Sequence, residues 1–348
     1  MTETKIDISR ASKAIRDSRF VEALSMLESN LAKDPDHLES LYFAAVCSRY
    51  LKNYKDSQKY LENLLIKAPD MGRAYQELGH LSKAVGNEEN AASHYRQACE
   101  LNPALISSWK SLFNYFTKMK NKPAAEHAYD QIKKLESIPS VLLYINQILN
   151  EGRLGIAEKQ CREYLKKNPT DVYAMSLLAE IANRLGYFDD AEVLLENAVK
   201  FSPNDGELRM KYAMILRKKQ KFAKTMEQVN ILCEQFPENL SYQAQKASEV
   251  MQNGDHGHAI ELFESIIEKN KFNFSALTSK GHAEKTLGKT DDAIQSYKSA
   301  YKIKQDHGEA YFSLSNLKTY KFSRNELDQM RNQLKRVDLT LKDKAYFH

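Results

Sequence analysis

The tripeptide Gly288-Lys289-Thr290 is the first place where residue types could do chemistry, because Gly-Lys-Thr closes the loop that holds nucleotide phosphates. That loop also needs a Gly five positions before Gly288, where this chain has Ala283, and it must follow a strand. A similar Leu-Gly pair recurs at Gly186, at the corresponding place in another segment. We therefore predict a turn between two helices and no phosphate site.

Two histidines invite a metal-site interpretation. His256 and His258 flank Gly257 and follow Asp255, but no third or fourth ligand converges on them at a recognised spacing. The 9 His residues form no HExxH motif, and no GxSxG elbow occurs in the sequence. We predict a turn here, and we predict no catalytic, cofactor-binding or metal-binding residue in this chain.

The cysteines and the termini bear on the compartment. The four cysteines are widely separated, at Cys47, Cys99, Cys161 and Cys233, without the short pairs of a zinc site or the density of a disulfide scaffold. The segment 1–18 contains no apolar signal region, and no stretch reaches the roughly 18 apolar residues that span a bilayer. We expect a cytoplasmic protein with reduced thiols and no membrane partner.

Composition favours helices. Only 12 Gly and 8 Pro occur in 348 residues, hydrophobic residues make up 42% and charged residues 28%, and the mean hydropathy is −0.59. These values disfavour disorder, collagen-like chains and membrane proteins. The net charge of +5 comes from interspersed basic and acidic residues, so we expect no nucleic-acid partner.

Prolines recur at one interval along the chain and define the repeats that must position any site. Pro35, Pro69 and Pro103 are equally spaced, and Pro169, Pro203 and Pro237 repeat the same interval of about 34 residues. The gap between the two groups is two such intervals less two residues. With these prolines at position 32, the repeats begin at Thr4, Leu38, Gly72, Ile106, Ile138, Val172, Gly206, Leu240, Phe274 and Gly308, and the fourth repeat is the short one.

Residue sizes within each repeat indicate a helical hairpin. Position 20 is Ala in seven of nine repeats, position 8 is small in most of them, and position 24 is large. Small residues allow two antiparallel helices to approach, and Pro ends the second helix. Gly86, Gly186, Gly254 and Gly288 lie where a first helix ends in a left-handed cap. Each hairpin leaves one face unburied, so neighbouring hairpins must stack.

The third repeat carries a family resemblance. Its residues Tyr75, Leu78, Gly79, Ala91, Tyr95, Ala98 and Pro103 resemble the tetratricopeptide repeat (TPR) pattern nearly completely. The resemblance covers residues 4–337. It implies an all-α fold, a right-handed α-solenoid of about ten TPR helical hairpins.

The resemblance implies that first helices line a concave groove with positions 2, 5, 9 and 12. The candidate peptide-binding residues are Tyr42, Arg49, Gln76, His80, Lys83, Lys110, Asn114, Asn146, Tyr173, Asn183, Arg217, His282, Lys285, Phe312 and Asn316. Amides can pair with a peptide backbone, and the cations favour acidic side chains. We expect a protein or extended-peptide partner, and the cations favour an acidic one.

Two known uses of such arrays fit poorly. Glycosyltransferase-type arrays resemble this one in fold but carry Asn at position 6, where this chain has residues such as Glu77 and Ser111. A chaperone-tail clamp needs Lys at position 5 and Asn at position 9, which Lys110 and Asn114 supply. The following repeat has no recognisable basic completion, so only the opening pair of a clamp is present.

The last repeat carries a second resemblance. Residues 308–322 and 326–330 resemble a stretch of bacterial proteins that join TPR repeats to a sulfotransferase domain. In that family the stretch directly precedes the catalytic half, which uses the sulfate donor PAPS. No phosphosulfate-binding loop of the type Pro-Arg-Ser-Gly-Thr-Thr occurs here. The resemblance therefore implies a recruiting N-terminal part of a sulfotransferase, with no cofactor bound by this chain.

Residues 338–348 are predicted to begin a further helix. Thr340 and Asp343 have the spacing of a capping box, which would bring Tyr346 and Phe347 onto the helix. We expect the sequence to end within this helix, before a catalytic domain. The alternative, a free-standing TPR adaptor or scaffold without enzymatic activity, stays open, and so does the question of enzyme activity in a longer protein.

Overall fold

The computed structural model describes residues 8–336, 339 and 341–347. The described residues form helices and turns and no strand. They fall into two compact units, here called the N-terminal unit (Met1–Leu185) and the C-terminal unit (Gly186–His348). The predicted start of the first repeat, Thr4, lies outside the described residues.

The N-terminal unit consists of eleven described helices. They are α1 (Ser9–Arg16), α2 (Phe20–Lys33), α3 (Leu38–Tyr50), α4 (Tyr54–Lys67), α5 (Gly72–Ala84), α6 (Glu88–Leu101), α7 (Ile106–Lys118), α8 (Lys122–Glu136), α9 (Ser140–Asn150), α10 (Leu154–Lys167) and α11 (Val172–Leu185).

The C-terminal unit consists of ten helices within the described part of the chain. They are α12 (Phe188–Phe201), α13 (Gly206–Lys218), α14 (Phe222–Gln235), α15 (Leu240–Gln252), α16 (His256–Lys269), α17 (Phe274–Thr286), α18 (Thr290–Ile303), α19 (Gly308–Ser315), α20 (Arg324–Leu334) and α21 (Leu341–Phe347).

Consecutive helices pair as hairpins, and the hairpins stack. In the N-terminal unit α1 packs on α2, α3 on α4, α5 on α6, α7 on α8 and α9 on α10, and in the C-terminal unit α13 packs on α14, α15 on α16 and α17 on α18. The second helix of a hairpin also packs on the next first helix, as α4 does on α5 and α16 on α17. The predicted all-α solenoid of TPR-type hairpins is confirmed in this packing.

Small side chains set the approach of the paired helices. The position-20 residues Ala23, Ala157 and Ala259 are each 0% exposed. At position 8, a Cβ built on Gly79 would lie 2.5 Å from Cε1 of Tyr95, well inside van der Waals contact. The ring of position 24 therefore lies directly on the backbone of the first helix, and only Gly leaves room for it.

The turn inside each hairpin contains one left-handed residue, at position 15. Its φ is positive at Gly86, Gly152, Gly186, Gly254 and Gly288, and also at Ser18, Lys52, Lys120 and Gln220. The predicted turn at Gly288 and the predicted turn before His256 are both confirmed. The non-glycine turns were not predicted, because left-handed backbone disfavours residues with a Cβ.

Side chains at position 4 satisfy carbonyl groups at the joints between repeats. Trp109 donates its indole N–H to the carbonyl of Pro103 at 2.9 Å, and Arg209 donates to the carbonyl of Pro203 at 2.7 Å. Such a donor offsets the cost of a helix-end carbonyl that has lost its helical partner. At both of these joints, a side chain of the first helix of the next repeat therefore holds the proline carbonyl.

The tenth repeat departs from the hairpin pattern. Its first helix, α19, has only eight residues, and α20 begins after a capping box of Ser323 and Glu326. α21 packs on α19, with the backbone N–H of Gly308 donating to Asp343 at 3.0 Å. A helix is thus present where one was predicted, although Thr340, half of its predicted cap, lies outside the described residues.

Candidate functional site

The predicted site residues occupy first helices. Tyr42 and Arg49 lie on α3, Gln76, His80 and Lys83 on α5, Lys110 and Asn114 on α7, Asn146 on α9, Tyr173 and Asn183 on α11, Arg217 on α13, His282 and Lys285 on α17, and Phe312 on α19, which Asn316 follows. The helical spacing of three and four positions places positions 5, 9 and 12 on one side of each helix. The structure brings some of them into internal contacts and leaves others open.

Tyr42 lies in a buried charge cluster of the N-terminal unit. Arg73 lies over its ring at 4.4 Å and forms ion pairs with Glu39 and, at 3.2 Å, with Glu151. Arg153 reaches Glu39 at 3.5 Å. Burial raises the pKa of Glu151, and the Arg73 guanidinium opposes that rise. We name Glu39, Arg73, Glu151 and Arg153 the charge cluster.

The charge cluster joins repeats that are not neighbours. It connects the turn after α9 to the starts of α3 and α5. Gln147 on α9 also donates to the carbonyl of Ala104 at 2.9 Å, and Asn102 donates to the carbonyl of Gln147 at 3.1 Å. The fifth repeat therefore contacts the second and third repeats and the joint after the third. Sequence analysis missed this contact; its one outward sign is the shortened fourth repeat.

A cleft between the third and fourth repeats holds two predicted residues, Lys83 and Asn114. It has a volume of about 110 Å³, and Tyr95 and Ser111 also line it. The Tyr95 hydroxyl forms a hydrogen bond with Nδ1 of His80 at 2.7 Å. The side chains of Lys83 and Asn114 make no hydrogen bond or ion pair with any described residue. Lys118 and Glu88 also line the cleft but pair with each other at 2.6 Å, so Lys83 and Asn114 are its cation and amide without an internal partner.

His80, which is bonded to the cleft residue Tyr95, is held neutral. Burial, with the positive charges of Arg49 and Lys83, lowers the pKa of His80 to about 4. A neutral imidazole can share a hydrogen bond with the Tyr95 hydroxyl without adding charge. The positive charge of the cleft mouth therefore comes from lysine.

We expect His80 to make folding depend on pH. Its pKa is lower in the folded chain than the usual 6.5, so its contribution to stability is present above pH 6.5 and is lost as the pH falls towards 4. Proton NMR of the ring should show a titration midpoint near pH 4. Urea unfolding measures the free energy of unfolding at each pH. Between pH 6.5 and 4 this free energy should fall less for the variant His80→Gln than for the unaltered chain, and an equal fall would contradict the assignment.

The C-terminal unit contains a matching arrangement. Nδ1 of His282 forms a hydrogen bond with the Tyr297 hydroxyl at 2.9 Å. Nε2 of His282 lies 3.6 Å from Glu309. The side chains of Lys285 and Asn316 have no hydrogen-bond or ion-pair partner among the described residues.

Phe312 lies beside this second arrangement. It is 45% exposed, and its ring centroid lies 5.3 Å from that of Tyr346.

Other predicted residues are already bound within the chain. Arg49 pairs with Glu77, Arg217 with Glu249 at 2.7 Å, and Lys110 with Glu136 at 2.7 Å. The remaining amides and phenol form pairs as well: Gln76 with Ser108, Asn146 with Tyr173, and Asn183 with Glu180. A pairing of this kind cannot be read from one residue's position, because it depends on what the next repeat places opposite.

Metal and membrane chemistry find no support among the described residues. Asp255 caps α16 by accepting from the backbone N–H of His258 at 3.1 Å. No group of three metal-ligating side chains gathers within 8–336, 339 and 341–347. In the same ranges no helix combines the length and apolar character that crossing a bilayer requires.

One comparison with known proteins bears on the repeat type. A sequence model of the tetratricopeptide repeat matches residues 72–105 and 274–307, which are the third and ninth repeats. The chain therefore contains tetratricopeptide repeats.

Solved structures similar to this chain include two of MamA and one human protein. The "MamA RS-1 ArsTM double mutant" is 10% identical with a TM-score of 0.42, covering 48% of this chain and 96% of its own. "MamA MSR-1 C2" is 15% identical with a TM-score of 0.40, covering 47% and 92%. The "Human IFIT1 dimer with m7Gppp-AAAA" is 18% identical with a TM-score of 0.45, covering 99% and 86%.

Proposed function

We propose that the chain binds acidic segments of other polypeptides on the first helices of its repeats. The observation that carries this proposal is the set of four side chains, Lys83, Asn114, Lys285 and Asn316, which have no partner among the described residues. An ammonium group pairs with carboxylates, and an amide can both donate to and accept from a peptide backbone. Stacked helical repeats commonly present such extended binding surfaces.

The test compares an acidic peptide with its neutral counterpart. A fluorescein-labelled peptide containing several Glu residues should bind more tightly than the same peptide with Gln, and its affinity should fall as NaCl is added. Fluorescence anisotropy measures both.

The double variant Lys83→Ala with Lys285→Ala should weaken binding of the acidic peptide about tenfold or more, the loss expected for a charged hydrogen bond. Lys110→Ala and Arg217→Ala should weaken it less, because both cations already hold carboxylates of this chain.

A nucleic-acid ligand is the competing outcome, since human IFIT1 is described with m7Gppp-AAAA. A single-stranded RNA oligonucleotide should bind more weakly than the acidic peptide at equal ionic strength. Tight RNA binding with no peptide binding would contradict the proposal.

We also propose that the array recruits substrate for a linked sulfotransferase. Support comes from the resemblance of residues 308–330, which form α19, the connecting stretch and the start of α20. PAPS would be bound by that other domain, since no residue of this chain is assigned to it. A sulfate-transfer assay should show activity only for a protein in which a phosphosulfate loop follows this array. A stop codon directly after His348 would favour the free-standing adaptor instead.

A further inference from the structure

Six residues of the third and fourth repeats recur at the same repeat positions in the ninth and tenth. The first set is Gly79, His80, Lys83, Tyr95, Ser111 and Asn114, and the second is Gly281, His282, Lys285, Tyr297, Ser313 and Asn316. Each member of the first set is separated from its counterpart in the second by the same number of residues. That separation equals six repeats, one of which is the short fourth repeat. The other repeats contain neither Gly at position 8 nor His at position 9.

The two sets also share their geometry. The distance from the histidine Nδ1 to the tyrosine hydroxyl is 2.7 Å in the first set and 2.9 Å in the second. In each set the serine also acts on the tyrosine hydroxyl, opposing the rise that burial causes in its pKa. A Cβ on the glycine would lie 2.5 or 2.6 Å from the tyrosine ring. Glycine, histidine, tyrosine and serine thus fix one local frame, in both units, beside the lysine and asparagine.

The chain itself shows how a cation in this place is neutralised. Arg49 occupies position 12 of the second repeat, as Lys83 and Lys285 do in theirs, and it pairs with Glu77 at position 6 of the following repeat. At that position 6 the two sets have Ser111 and Ser313, which carry no charge. Neither set therefore has a carboxylate at the position from which Glu77 pairs with Arg49.

We infer that each unit holds one binding site for a side-chain carboxylate of an acidic peptide, made by Lys83 and Asn114 in the N-terminal unit and by Lys285 and Asn316 in the C-terminal unit. This inference rests on the proposed peptide binding. The lysine supplies the charge that pairs with the carboxylate, and the asparagine amide pairs with the peptide backbone. The cleft of about 110 Å³ at Lys83 has room for about three or four water-sized groups.

Each site has one further ion pair beside it. Lys118 and Glu88, at the cleft of the first site, neutralise each other at 2.6 Å. In the second unit Lys342 pairs in the same way with Glu309 at 3.6 Å, and Glu309 lies 3.6 Å from His282. In both units, therefore, the charge without an internal partner is that of the lysine in the set.

The experiment is backbone amide NMR of the full chain with a peptide that carries one charge. The probe is a short Gly-Ser peptide with a single Glu and with acetylated and amidated ends. It should shift two separate groups of signals, one near Lys83 and one near Lys285. Lys83→Met should abolish only the first group and Lys285→Met only the second. The matched controls Lys59→Met and Lys269→Met, which alter exposed lysines on second helices, should leave both groups.

A second pair of variants tests whether a carboxylate of the chain itself can occupy the first site. Ser111→Glu places a carboxylate at position 6 of the fourth repeat, the position that Glu77 occupies in the third. The new carboxylate should pair with Lys83, as Glu77 pairs with Arg49. Peptide-induced shifts near Lys83 should then disappear, while those near Lys285 persist. Ser111→Gln controls for the lost hydroxyl, and it should keep both groups of shifts.

The outcomes separate this inference from the proposed function. Acidic-peptide binding that survives Lys83→Met together with Lys285→Met overturns the two sites and leaves peptide binding intact. No shift with either this probe or the multi-Glu peptide overturns both. An RNA oligonucleotide that binds through these two lysines, where peptide does not, also overturns the carboxylate assignment.

Discussion

Replacing Arg73 by Met should lower the free energy of unfolding of the N-terminal unit by about 3–5 kcal/mol, the loss typical of breaking a buried ion pair on one side. The Glu151 side chain is 5% exposed and that of Arg73 12% exposed, so water cannot substitute for the guanidinium. The stacking of Arg73 on Tyr42 would be lost as well. Urea unfolding followed by circular dichroism measures the effect.

Two controls make the Arg73 result specific. The variant Arg73→Met with Glu151→Gln and Glu39→Gln should recover most of the loss, because the one cluster charge it leaves unpaired is Arg153, whose side chain is 30% exposed. Arg162→Met breaks an exposed pair with Glu158 and should cost less than about 1 kcal/mol. A loss below about 1 kcal/mol for Arg73→Met alone would show that the charge cluster contributes little to stability.

Gly79→Ala should destabilise the third repeat by about 1–3 kcal/mol, the usual cost of overpacking a closely packed contact. The added methyl group would lie 2.5 Å from Cε1 and 2.6 Å from Cδ1 of Tyr95, so either the ring or the helix must move. That movement would also disturb the hydrogen bond between His80 and the Tyr95 hydroxyl. Thermal and urea unfolding of the variant measure the loss.

The matched control is Gly155→Ala in α10. No heavy atom lies within 4 Å of a Cβ at Gly155, so alanine should stabilise this helix by up to about 1 kcal/mol. Combining Gly79→Ala with Tyr95→Leu should relieve the overlap and restore part of the stability. If the two glycine variants behave alike, helix propensity decides the result and the contact with Tyr95 does not.

The hairpins and their stacking could be predicted from sequence because they depend on local rules. Proline at position 32 ends a helix wherever it occurs, and the alanine found at position 20 of most repeats is small enough for close packing. The left-handed turns at Lys52 and Gln220 could not be predicted from residue type. There the packing of two helices fixes the turn length, and the backbone adopts the strained conformation whatever the side chain.

Sequence analysis placed the candidate residues on first helices but could not tell which of them have partners within the chain. Helical spacing correctly placed Arg49, Lys83 and Arg217 on first helices, yet of these three only Lys83 has no partner among the described residues. The difference lies in the next repeat, which offers Glu77 to Arg49 and Ser111 to the region of Lys83. Whether a side chain is available to a ligand depends on two adjacent repeats. It therefore cannot be predicted from positions within one repeat.

The contact between Arg153 and Glu39 joins the fifth repeat to the second, across two whole repeats of intervening chain. An array in which layers touch only their neighbours can be lengthened or shortened by whole modules, and it can nucleate anywhere. Here the second to fifth modules close on themselves, so removing one of them would sever this bond as well as a neighbour interface. For protein engineers, the second to fifth repeats are therefore a block that cannot be shortened by one repeat without losing the ion pair between Arg153 and Glu39.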